Sequence, residues 1–150
     1  MNIVKKLTVF LSLDMKTRFL FIEAYIYLGW ARILKIMSFS QSATTLGVYM
    51  DETSLNYVET NIRILKSVAE VIQITSRHTL WDSQCLVKAI AGMKMLERRK
   101  IESTLYLGTA KDEDGKMVAH AWLRSGPFYI TGAEGMEKFT VVGTFAKKVD

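Results

Sequence analysis

The sequence predicts an α+β fold in which helices come first and an antiparallel meander follows. Two patterns predict it. Apolar residues recur at helical spacing as far as Leu96, and from Ser103 the pattern changes to period two broken by turn residues. Length supplies a third observation, because a chain of 150 residues buries roughly 70% of the surface its unfolded form exposes and can fold without staples.

Residues 1–13 mix apolar positions with Thr and Ser, and Asp14 then offers an N-cap for a helix over 15–37. This helix carries Arg18, Glu23, Arg32 and Lys35, which is too much charge for a membrane span. Its aromatics, Phe19, Phe21, Tyr25, Tyr27 and Trp30, cover more than one face and point to burial against the core or a protein partner rather than to a membrane-surface role. The polar stretch 38–52 reads as a connection rather than a strand, and the boundary placed there separates a helical N-terminal region, 1–50, from a core over 51–150. Leu55, Val58, Ile62, Leu65, Ala69 and Ile72 then alternate at three and four, the stripe of an amphipathic helix facing the core. The pattern breaks over 75–80. Asp82 or Ser83 is the expected cap of a further helix with Leu86, Ala89, Ile90, Met93 and Leu96 inward, and Cys85 falls in its first turn. Arg98, Arg99 and Lys100 close it, where positive charge suits the dipole and water solvates the side chains.

Strands are expected over 104–110, 117–123, 128–131 and 139–146. Asp114-Gly115 marks the turn of the first pair, and Arg124-Ser125-Gly126-Pro127 joins the second.

The net charge of +5 would suit an acidic partner. Lys and Arg are scattered, however, without the basic and aromatic interleaving of a nucleic-acid surface, and no nucleic acid is expected as a partner. One cysteine excludes an intrachain disulfide, and two histidines with it fall short of a zinc set; neither metal nor cofactor is expected. No secretory signal or transmembrane segment is recognisable, so the expected compartment is reducing cytoplasm.

Cys85 and His120 are the residues equipped for nucleophilic chemistry at neutral pH. A cysteine at a helix start sits near unpaired N–H groups and the positive end of the dipole, both of which favour thiolate. Val118, His120 and Trp122 share one face of a strand, so the histidine is expected to face the helix with an aromatic beside it. The Cys85 N–H and the Gln84 side chain are convenient donors for an oxyanion. Each residue also has a plainer reading: a lone cysteine as a small core hydrophobe, a strand histidine satisfied by hydrogen bonds, Trp122 as core, Gln84 as a polar helix-start residue. His78 is assigned no role.

W-D-S-Q-C-L-V-K-A, then L-E-R-R-K-I, then K-D-E-D-G-x-x-x-A-H-A-W-L resembles the leader peptidases of lasso-peptide biosynthesis, a transglutaminase-like family of cysteine proteases, over about 80–131. The resemblance implies a papain-like core in which a Cys-bearing helix packs on an antiparallel sheet, with Cys85 as nucleophile and His120 as base and acid. Such an enzyme cuts the leader from a precursor peptide and frees the core peptide for a separate ATP-dependent cyclase, which is a further possible partner. The chain begins almost directly with the apolar helix, which implies that the leader-binding element is a separate small protein. The family commonly has an aspartate twelve residues after the histidine, and here that position is Gly132. If the hairpin turn centres near Ser125 and Gly126, Thr131 lies opposite His120, and its hydroxyl, a backbone carbonyl or Glu134 reaching back is the expected orienting group. Two rival readings keep the same residues: acyl transfer to an amine, as a transglutaminase or arylamine acetyltransferase performs it, and a non-catalytic protein that holds the precursor.

Overall fold

The computed structural model describes residues 2–37 and 43–149. Helix α1 (Ile3–Ser12) starts at Asn2, whose side chain accepts the Lys5 N–H. Helix α2 (Met15–Ile36) starts at the expected Asp14, which accepts from the Thr17 hydroxyl and N–H. The Thr17 hydroxyl bond, more than any other contact, holds the Asp14 carboxyl below its ordinary range. Ala24, Leu28, Ala31 and Leu34 form the buried stripe of α2. Of the aromatics expected to pack on the core or a partner, Phe21, Tyr27 and Trp30 pack against the core, Tyr25 meets Trp81 edge-on with centroids 4.9 Å apart, and Phe19 is exposed.

The expected connection over 38–52 contains a strand after all; residues 38–42 lie outside the described residues. Strand β1 (Val48–Tyr49) pairs Val48 with Ala146 and Tyr49 with Phe145. Two residues are too few for a period to show. The expected helix over 55–73 begins later, as α3 (Ile62–Ser76), and Leu55 and Val58 are exposed. The backbone before it is committed to the sheet instead. The Thr53 N–H donates to Thr104 Oγ1 at 2.9 Å and the Thr53 carbonyl accepts from Arg124 Nη2 at 2.9 Å, so local three-four spacing is overridden by tertiary hydrogen bonds.

Helix α4 (Cys85–Arg98) takes Gln84 as its N-cap, not Asp82 or Ser83. Ser83 Oγ is bonded to Thr79 Oγ1 at 2.8 Å and Asp82 lies 3.8 Å from Lys35, so both side chains are turned elsewhere. α4 is the central helix, packed by α2, α3 and the sheet, and Gly92 permits that approach: a Cβ there would stand 2.9 Å from Leu123 Cδ2 and 3.2 Å from Ile72 Cδ1. The basic cluster at its end is not simply solvated. Arg99 holds both oxygens of Glu23 at 2.7 Å and Arg98 adds a contact at 3.0 Å, tying α4 to α2.

Strands β2 (Ser103–Lys111), β3 (Met117–Ser125), β4 (Phe128–Thr131) and β5 (Thr140–Lys147) complete an antiparallel sheet of order β1-β5-β2-β3-β4. Gly115, at φ +78°, turns the first hairpin. Gly126 and Pro127 alone connect β3 to β4, since Ser125 already pairs with Phe128. Leu105, Ala121, Leu123, Ile130 and Phe145 belong to the core shared with the helices. Tyr106, Trp122 and Arg124, the alternate positions, occupy the sheet's other face and are buried there.

Candidate active site

Cys85 is the first residue of α4 and is half-buried. No side chain caps this helix, so the N–H groups of its first turn face the thiol's surroundings without a competing carboxylate or hydroxyl. Gln84 beside it is exposed and its side chain makes no hydrogen bond among the described residues. The loop leading in is seated by Trp81, whose ring lies 3.3 Å from where a Cβ on Gly29 of α2 would stand. A side chain at position 29 would push the indole back by a few tenths of an ångström.

His120 sits on β3, and its position departs from expectation. Ala121 and Leu123 face α4 and the core, so alternation puts His120 on the Trp122 side of β3; β4 pairs only with 123–125, however, and at that open edge the imidazole also reaches a cleft lined by α3 and α4. On the Trp122 side the imidazole lies 5.7 Å from the Trp122 ring and 5.1 Å from Phe139, and Trp122 is stacked on Tyr106 at 5.6 Å with 8° between planes. Gly108, directly opposite His120 on β2, makes room for this row, because a Cβ there would stand 2.9 Å from both the Trp122 ring and Phe139. A glycine inside a strand pattern was the sequence signal for that close packing.

Thr131 does not lie opposite His120. A register shift between Leu123 and Arg124 pairs Thr131 with Leu123, and the Thr131 hydroxyl is buried without a hydrogen-bond partner. Glu134 is exposed and makes no bond to the ring. The group that meets the imidazole is the Gly132 carbonyl, 2.7 Å from His120 Nε2. A carbonyl only accepts, so Nε2 carries the proton and Nδ1 is left as an acceptor. Gly132 has φ +74°, and a Cβ on it would stand 2.4 Å from the Ala121 carbonyl oxygen. The absence of a side chain is what brings the chain close enough for this contact.

His120, Thr131, Gly132 and Glu134 line an open cleft of about 600 Å³ together with Glu70 and Gln73 of α3 and Lys88, one turn beyond Cys85. No hydrogen bond joins Cys85 to His120. The family model of the transglutaminase-like superfamily matches residues 25–144. The chain belongs to that superfamily. No curated protein and no solved structure matches the chain.

This superfamily includes cysteine proteases and acyltransferases. A further polar cluster of this transglutaminase-like chain escaped the sequence reading. Arg124, buried, donates to the Tyr106 hydroxyl at 2.8 Å, to the Gly126 carbonyl at 2.7 Å and to the Thr53 carbonyl, while Tyr106 donates to Glu52. Burial first, and then the bond to Glu52, raise the Tyr106 phenol above its ordinary value. The cluster pins the segment before α3 over the Trp122 face of the sheet.

Proposed function

We propose that the protein is a cysteine endopeptidase that removes the leader from a lasso-peptide precursor, leaving the core peptide's new amine for a separate cyclase. The observation that carries the reading is the His120 to Gly132 hydrogen bond. It supplies, at the position where the resembled family has an aspartate, an acceptor that fixes the tautomer with Nδ1 free to take a proton. In this reading His120 takes the Cys85 proton, the thiolate adds to the scissile carbonyl, and the imidazolium returns the proton to the departing amine. Water then releases the acyl group. The Cys85 N–H and the Gln84 side chain are the donors nearest the forming oxyanion. Cys85 and His120 make no hydrogen bond in the free chain, so the reading places their meeting in the precursor-bound state, with a separate small leader-binding protein delivering the peptide.

That same separation favours a second reading, a non-catalytic protein that holds the precursor. Precursor, leader-binding protein and this chain, followed by mass spectrometry, separate the two. Cys85→Ala and His120→Ala are each expected to abolish leader removal with folding and precursor binding retained. Cleavage by Cys85→Ala at the parent's rate would sink the protease reading, and product formation that depends on an added amine would indicate acyl transfer instead.

A further inference from the structure

No residue of α1 is buried. At helical spacing Ile3, Val4, Leu7, Phe10 and Leu11 share one arc, Lys6 and Thr8 flank it, and Lys5, Ser12 and the single apolar Val9 lie opposite. Ile3 is 82% exposed and Leu11 57%. Helix α2 adds a second apolar line. Met15, Phe19, Ile22, Ile26, Ile33 and Ile36 repeat at threes, fours and one seven on the side away from its buried stripe, and are between 45% and 71% exposed. This line runs about 33 Å at 1.5 Å per residue over the 22 residues of α2. Surfaces of this extent mark an interaction.

The charges select the partner. Lys5, Lys6, Lys16, Arg18, Arg32 and Lys35, the last of them 3.8 Å from Asp82, accompany these helices against two acids. Of those, Glu23 is neutralised by Arg98 and Arg99, and Asp14 is occupied in capping. A second copy would set cations against cations. A partner helix needs a furrow, and the recess between α1, α2 and α3, lined by Phe10, Ile22, Ile26, Ile74 and His78, holds only about 290 Å³. No helix among the described residues is long and apolar enough to cross a membrane, but an amphipathic helix with an apolar arc and lysines around it is the form that lies in a bilayer interface.

We propose that α1 and the outer line of α2 seat the protein on an anionic bilayer surface, with the aliphatic side chains in the acyl boundary and the lysines at the headgroups. This does not depend on the peptidase reading. The test is co-sedimentation of the full chain with vesicles of phosphatidylcholine alone and with one-third phosphatidylglycerol. Binding to the anionic vesicles only, weakened by salt, is expected. Lys5→Gln with Lys6→Gln should weaken it about tenfold or more, and Leu7→Glu with Ile26→Glu should abolish it. Because these side chains are exposed, the variants should keep the parent's circular dichroism. Failure to bind anionic vesicles, binding that both paired variants leave unchanged, or a vesicle-free dimer dissolved by Ile26→Glu would overturn the proposal.

Discussion

Gly132 meets two demands that no other residue meets together: a left-handed backbone and contact with the neighbouring strand. Gly132→Ala is therefore expected to lower stability by about 2 kcal/mol or more, from the conformational penalty and the clash combined, measured by urea unfolding. Restoring the family's acid as Gly132→Asp should do the same rather than improve cleavage. Thr131→Val is the contrasting case. Its hydroxyl is buried and unpartnered, so an isosteric apolar replacement should leave stability unchanged or raise it by up to about 1 kcal/mol, with any leader cleavage near the parent's rate. Tyr106 gives the molecule an alkaline limb. Its folded phenol is raised above 10.0, so the stability held by the neutral form is complete below that pH and is lost as pH rises through the folded value. Tyr106→Phe should be less stable near neutrality by about 1–2 kcal/mol, since Glu52 and Arg124 lose a partner, and its unfolding free energy should fall less steeply above pH 10 than the parent's.

At the scale of elements, the ion-paired knot between Glu23 and Arg99 decides how firmly α2 grips α4. Glu23 is only 11% exposed in its side chain while Arg99 is 28% exposed, which leaves the pair less screened than a surface bridge. A double-mutant cycle with Glu23→Gln and Arg99→Met should return a coupling of roughly 1–2 kcal/mol, with a value near zero assigning the contact no energetic role. The sequence made α2, α4 and the four longer strands legible because each spans enough residues for its period to repeat and each ends in capping or turn chemistry: Asp14, Asp114-Gly115, Gly126-Pro127. What it hid is non-local. The late start of α3 depends on Arg124, seventy-one positions from Thr53. The register of β4 depends on one shifted residue, and with it the partner of His120. The side of the sheet on which His120 emerges was misjudged because period two tells which residues share a face, not which face the helices cover. Cys85 and His120 stand out in the sequence as candidates by their scarcity, and the contact that the structure does show, from His120 to the Gly132 carbonyl, was there only as one of three possibilities.

For the molecule as a whole, α2 acts as a splint along the central helix. Trp81, four residues before Cys85, is pressed on Gly29, and Arg99, just past the far end of α4, is clasped by Glu23. One rod thus holds both ends of the helix that carries the thiol. The outer line of that rod faces solvent, and the Trp81 indole is the contact by which an occupant there would be felt at residues 81–86. Amide exchange over 81–86 should slow when the outer face of α2 is occupied, and Trp81→Ala should uncouple the two without unseating the occupant; exchange indifferent to occupancy in the parent would show that the far side of α2 carries no signal to the cysteine.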